Sequence, residues 1–340
     1  MAHLTLVLPF ALPLPEFAPD LVRALDAPAL GALLSRSSGA DRPAPGDTSH
    51  LLPHESWLLD ALGLAPEGRA QVAAAAMRGL GLDPAGGVWY LAHPGHIQVA
   101  RSHLMMADPR QLDLSEDDSR ALFASARALC EDIGHTLVYG DAGTWFLRAD
   151  DWTGFTTASP DTVVGMDLTD FMPKNLEARP MRRLQNEVQM AWHAHPVNAA
   201  REARRLPVVN AFWLWGAGRD ETKPATSLLT WKAPGWLAAL GAQRSSAAAL
   251  LEPLPNGDAI LVAGNLAEAA LAADWGVWVQ EMQTLERALF TPLLAAVKDG
   301  RVKTLRLVLG SREASIESAT SAMAQRKFWR KPTLDAFTRD

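Results

Sequence analysis

Apolar and polar positions alternate along the chain in blocks of different period. Residues 4–8 form a short unbroken apolar run, the pattern of a strand covered on both faces. Residues 28–34 and 51–62 carry apolar side chains at helical spacing. The stretch 35–50 between them, rich in Gly, Pro, Ser and Asp, reads as a loop. Residues 67–79 predict an alanine-rich helix stopped by Gly79 and Gly81. From 87 to 99, β-branched and aromatic residues predict a strand, continued by 104–106 after a turn. Residues 115–133 predict a helix. Ser115 caps it, Asp118 completes the box, and Leu122, Phe123, Ala126, Leu129, Cys130 and Ile133 form one stripe. Two strand-like runs, 136–139 and 144–148, flank Gly140-Asp141-Ala142-Gly143 and predict a hairpin.

Residues 180–205 read as a second long helix, interrupted at His195-Pro196 because proline lacks the backbone donor. The apolar strand 208–215 runs into Gly216-Ala217-Gly218. Beyond residue 225 the periods alternate: strands at 227–231, 259–263, 275–281 and 304–309, helices at 266–273 and 284–298. Such alternation predicts an α/β fold, a mainly parallel sheet flanked by helices, which the strand at 4–8 joins. Residues 1–85 and 226–340 then form a discontinuous core, and 86–225 a smaller inserted α+β domain.

Composition narrows the functional classes. Of 340 residues, 48% are apolar and 21% charged, which excludes a disordered chain, a collagen-like fibre or a small disulfide scaffold. Thirty-two basic against 38 acidic residues give a net charge of −6, whereas a dedicated nucleic-acid binder carries a basic excess. The single cysteine, Cys130, closes no intrachain disulfide and suits a reducing cytoplasm; on its apolar stripe it reads as a core residue. The apolar run 1–15 has no Lys or Arg before Arg23 and is broken by Pro9, Pro13 and Pro15, so a buried strand and loop is expected rather than a signal peptide. No stretch reaches the roughly 20 apolar residues that cross a bilayer, and no membrane partner is expected. Twelve Trp against two Tyr point to packed aromatic walls.

The densest candidate chemistry lies at 186–205. On a helix, Asn186, Gln189 and His193 share one side, and Asn198 and Arg201 repeat that spacing further on. Amide, imidazole and guanidinium donors on one face suit a phosphate or carboxylate; the alternative is a solvated face paired with a neighbour. No metal signature is present: His193 and His195 point to different sides, His93 and His96 lack further ligands, and His50 and His54 fall at a helix start. These histidines read as structural, and no metal or other cofactor is expected. Gly216-Ala217-Gly218 lacks the Lys-Ser/Thr ending of a phosphate loop, and no Gly-x-Ser-x-Gly elbow occurs. Segment 326–331, Arg-Lys-Phe-Trp-Arg-Lys, packs four cations into six residues. It offers a docking point for nucleic acid or an acidic protein; the plainer reading tucks Phe328 and Trp329 onto the core.

The order His195-Pro196-Val197-Asn198, Arg201, Pro207, Asn210 and Trp213-Leu214-Trp215-Gly216-Ala217-Gly218 resembles the signature of archaeal-type cofactor-independent phosphoglycerate mutases. Trp89-Tyr90-Leu91-Ala92-His93-Pro94-Gly95-His96 and Asn186-Glu187-Val188-Gln189-Met190 more closely resemble bacterial RpfE-type regulatory proteins, distant relatives of those mutases. The resemblance spans roughly 86–218. It implies an alkaline-phosphatase-like core with an inserted domain and a phosphorylated small molecule as ligand. That ligand would sit in a groove between the two domains, formed by Asn186, Gln189, His195, Asn198, Arg201, Asn210 and Trp213. Arg201 would contact the anion, with Asn198 and Asn210 orienting the ligand or simply tying loops.

The mutases also need a nucleophilic Ser between two metals held by Asp and His, with Asp-Gly after the first strand and Asp-His after the last. Here the first strand is followed by Pro9-Phe10-Ala11, the last by Gly310-Ser311-Arg312-Glu313, and no histidine follows His195. The departure predicts a non-catalytic regulatory or ligand-binding protein whose two-metal site is lost. The alternative is an active mutase or phosphohydrolase with displaced ligands, drawing on Asp258, Asp274 or Glu281.

Overall fold

The unbroken apolar run at the N-terminus forms β1 (Ala2–Leu8), in which Leu6, Val7 and Leu8 are completely buried. A computed structural model describes residues 2–42, 50–65, 69–100, 103–152, 155–219 and 226–338. The strands that follow are β2 (Ser38–Arg42), β3 (Trp89–Gly95), β4 (Ile97–Ala100) and β5 (His103–Met106). Next come β6 (Thr136–Asp141), β7 (Thr144–Arg148), β8 (Ala211–Gly218) and β9 (Ser227–Trp231). The last four are β10 (Ala242–Gln243), β11 (Asp258–Ala263), β12 (Val302–Gly310) and β13 (Ser315–Thr320). They belong to two units: unit 1 comprises 1–46, 52–58 and 225–340, and unit 2 comprises 47–51 and 59–224.

Unit 1 carries a seven-stranded sheet in the order β10-β9-β11-β1-β12-β13-β2. From β10 to β12 every pairing is parallel; β13 and β2 are antiparallel. Leu6 of β1 lies opposite Leu261 and Leu307, so the three central strands present one continuous apolar layer. That layer packs on Leu30 and Leu33 of helix Pro28–Ser35, Trp278 and Met282 of helix Trp275–Leu285, and Leu293 of helix Thr291–Lys298. Val7, Val262 and Val308, on the opposite face, are equally buried, which is why these strands read as runs rather than alternations.

Three expectations in and around this unit change. Residues 275–281, read as a strand, are helical: Asp274 accepts from Val277 N at 3.0 Å, and Trp278, Met282 and Leu285 line the buried side. The dense run Trp-Gly-Val-Trp-Val suits either element, and the cap decides. Residues 38–42, read as loop, form the edge strand β2 through main-chain pairing that requires no apolar pattern; 43–49 lie outside the described residues. The helix expected at 67–79 is confined to Ala73–Gly79, with 66–68 outside the described residues.

Unit 2 holds a four-stranded antiparallel sheet, β6-β7-β3-β8, and a separate β4-β5 hairpin. Helices Glu116–Asp132 and Arg179–His193 pack against it through Leu122, Ala126 and Cys130 from one, and Met181, Leu184, Val188 and Trp192 from the other. Ser115 caps the first helix, accepting from Asp118 N at 3.2 Å, and the 136–148 hairpin forms as the pattern predicts. The Gly216-Ala217-Gly218 run is part of β8. Its glycines admit the crossing segment at 71–72, since a Cβ on Gly216 would meet Val72 at 2.7 Å and one on Gly218 the Gln71 backbone at 2.9 Å. Burial pushes the Cys130 thiol up to about 12, as befits an inert core residue. No described helix is long and apolar enough to cross a membrane.

Candidate functional site

The helix Arg179–His193 buries Met181, Leu184, Val188 and Trp192 at three- and four-residue intervals, which turns its other side to solvent. His195 then caps the next helix, Pro196–Ala203, its Nδ1 accepting from Val197 N at 3.2 Å while Pro196 sits in the first turn. This break aims the two helices so that an open cleft of about 340 Å³ forms within unit 2. Gln189, Met190 and His193 line it from the first helix, Asn198 and Glu202 from the second, and Val208 and Asn210 from the following segment.

The expected site residues divide into those that reach the cleft and those that build its walls. Gln189, Asn198 and Asn210 line it together. Asn186 is exposed on the same helix but outside the lining. Asn198 is buried with its amide in use: Nδ2 donates to Trp192 O and Val209 O, both at 2.8 Å, and Oδ1 accepts from Val209 N at 2.8 Å. Asn210 acts as a strand mimic, accepting from Ile97 N at 2.7 Å and donating to Ile97 O at 2.9 Å. Trp213 donates to Ala158 O at 2.9 Å from a buried position.

Arg201 requires a correction. Expected to contact an anion, it is 1% exposed; Nε donates to Pro207 O at 2.8 Å, and the terminal nitrogens donate to the carbonyls of Asp113 and Leu112. Its guanidinium fixes two loops and has no face left for a ligand. The reach that suits arginine to phosphate suits it equally to converging carbonyls, and only the tertiary fold chooses.

Sequence reasoning placed His193 on the candidate face but left out Glu202, although the fourth-residue spacing 198/202 signals one shared face on the second helix. Among the described residues the cleft lining therefore offers a carboxamide, an imidazole and a carboxylate, with neither guanidinium nor ammonium. Such a set hydrogen-bonds a ligand that brings its own donors, and a bare phosphate meets the Glu202 charge unfavourably.

Two other histidines, His93 and His96, hold main chain. His93 Nδ1 lies 2.7 Å from Gly143 O with its ring stacked on Trp215, and burial holds its pKa below the usual imidazole value. His96 Nδ1 lies 2.8 Å from Val208 O. Asp108, the next acid after them in the chain, is held by Arg110, which also reaches Asp161 at 2.9 Å.

The mutase resemblance calls for metal ligands at the carboxyl ends of the parallel strands of unit 1. Past β1, Pro9 and Phe10 are both buried, the Phe10 ring meets His54 edge-on at 5.4 Å, and Phe10 O accepts from Trp278 Nε1 at 2.9 Å. The acids available for a displaced site do not converge. Asp258 begins β11 at its amino end, and Asp274 caps a helix. Glu281 pairs with Lys232 at 3.4 Å and accepts from Asn265 Nδ2 at 2.6 Å. Among the described residues no three of His, Cys, Asp and Glu group to hold a metal ion. These residues do not fit a two-metal centre.

No protein-family model matches the chain, and no curated protein does. Among solved structures, the PH0037 protein from Pyrococcus horikoshii aligns at a TM-score of 0.52 and 12% identity, over 94% of this chain and 87% of that chain. The Cofactor-Independent Phosphoglycerate Mutase from Thermoplasma acidophilum DSM 1728 aligns at 0.47 and 12% identity, over 99% of this chain and 94% of that chain. The chain thus has an α/β fold similar over most of its length to that of the Pyrococcus protein.

Proposed function

We propose that this chain is a non-catalytic ligand-binding protein of the RpfE-type regulatory class, built on a phosphoglycerate mutase-like fold whose two-metal site is lost. The observation that carries this reading is the turn after β1. Where the mutase pattern has Asp-Gly, this chain has Pro9-Phe10, and Phe10 adopts φ +57°, the left-handed conformation that glycine takes without strain. A buried aromatic ring thus occupies a left-handed turn position where the mutase pattern expects glycine. Among the described residues no carboxylates and imidazoles converge at that sheet edge, in keeping with the same reading. The ligand belongs in the unit 2 cleft, and the Gln189, His193 and Glu202 groups favour a small polar molecule bearing hydrogen-bond donors over a phosphorylated one.

The test has two arms on the purified protein. With manganese or zinc supplied, no phosphoglycerate mutase or phosphomonoesterase turnover is expected; metal-dependent turnover overturns the reading. In a thermal-shift panel of amino acids, polyamines and phosphorylated metabolites, a donor-bearing compound raises the wild-type melting temperature and the shift disappears in Glu202→Gln. A panel without any shift removes the cleft as a ligand site.

A further inference from the structure

Segment 326–331 follows the short helix Ala322–Gln325 in unit 1, and its main chain is anchored. Arg330 donates to Ser35 O at 3.3 Å, Arg36 Nε donates to Arg330 O at 3.2 Å, and Arg330 N closes a turn on Lys327 O at 3.0 Å. On this fixed base the apolar side chains stand outward: Phe328 is 81% exposed, Trp329 67% and Met323 77%. The expectation that the two rings tuck onto the core is not met, because Leu334 and Phe337 fill the core in their place. Arg326, Lys327, Arg330 and Lys331 have no carboxylate partner among the described residues. A chain of net charge −6 thus concentrates four unpaired cations around its most exposed aromatic pair.

We infer that this segment docks on an anionic lipid surface. Charge complementarity selects an anionic occupant, and the geometry of the rings selects lipid over single-stranded nucleic acid. Phe328 and Trp329 meet edge to face, 5.3 Å apart with an 80° interplanar angle, so they present no parallel pair of faces to successive stacked bases. A bilayer interface accepts rings in any orientation at headgroup depth, and it accepts Met323, which has no stacking face. The flanking cations then lie at the level of the lipid phosphates, where each strengthens association about fivefold. The absence of a membrane-spanning run says nothing against this mode, which needs only a few side chains at the surface.

Sedimentation of the full chain with phosphatidylcholine vesicles, with and without phosphatidylserine, tests the inference. Binding is expected only to the serine-containing vesicles and weakens as salt rises. Lys327→Gln with Lys331→Gln lowers it about 25-fold, two steps of about fivefold. Phe328→Ser with Trp329→Ser abolishes it while the far-ultraviolet circular dichroism stays unchanged, since both side chains are exposed. No binding to anionic vesicles, equal binding to both vesicle types, or wild-type binding by the aromatic double variant overturns the proposal. So does capture of a single-stranded oligonucleotide in place of vesicles. None of these outcomes bears on the cleft or on turnover.

Discussion

Asn198 and Arg201 sit three residues apart on one helix, and each uses its polar atoms to hold main chain from more than one segment. Asn198 joins the end of one helix at Trp192 to the strand-like backbone at Val209, and Arg201 gathers carbonyls from 112, 113 and 207. Removing a group that satisfies several buried partners leaves each of them desolvated and unbonded. Asn198→Ala and Arg201→Ala are therefore expected to destabilise the protein by about 3 kcal/mol each, read from urea denaturation. Near-wild-type stability in Arg201→Ala would instead mean that its guanidinium is free for a ligand. From sequence, the amide and guanidinium spacing was legible; whether those donors face solvent or carbonyls was not, because the carbonyls at 112 and 113 lie almost ninety residues away.

At the scale of elements, one long-range cap stands out. Glu286, in the π-helical turn Glu286–Phe290, accepts from Ala29 N at 2.7 Å and Leu30 N at 3.1 Å, capping the helix Pro28–Ser35 across the core of unit 1. Neither the helix's own N-cap residue, Ala27, nor Pro28 offers a side-chain acceptor, so the distant carboxylate replaces the local one. Glu286→Ala leaves two buried N–H groups open and is expected to cost about 2–3 kcal/mol, with Glu286→Gln recovering part of it. Equal melting temperatures for all three proteins would remove the cap from the account. Local caps, by contrast, were readable: Ser115 and its box lie three residues apart. The Asp274 cap was equally local, yet the apolar density of 275–279 masked it, since period alone does not separate a buried helix from a buried strand.

For the whole molecule, the sequence separation of contacts distinguishes the two units. Unit 2 runs almost without interruption from 59 to 224 and owns the aromatic core around Trp145, Trp192 and Phe212. Expressed alone, 59–224 is expected to keep a cooperative thermal transition and its near-ultraviolet tryptophan signal; a molten spectrum would mean that its core needs unit 1. Unit 1 has the opposite character, because β1 pairs with β11 and β12, more than 250 residues later. A chain ending before 258 therefore has no parallel partners for β1.

The amino-acid order alone determined what depends on near neighbours: alternating strands and helices, the 136–148 hairpin, the Ser115 cap and the helix break at His195-Pro196. It also carried Pro9-Phe10 directly after the first strand, a matter of residue identity. The tertiary structure decided which polar groups face water and which face carbonyls, so it withdrew Arg201 and brought His193 and Glu202 to the cleft. It likewise left Phe328 and Trp329 outside a core already filled by Leu334 and Phe337. Burial is a property of groups that meet across long stretches of chain, and no local period encodes which groups those are.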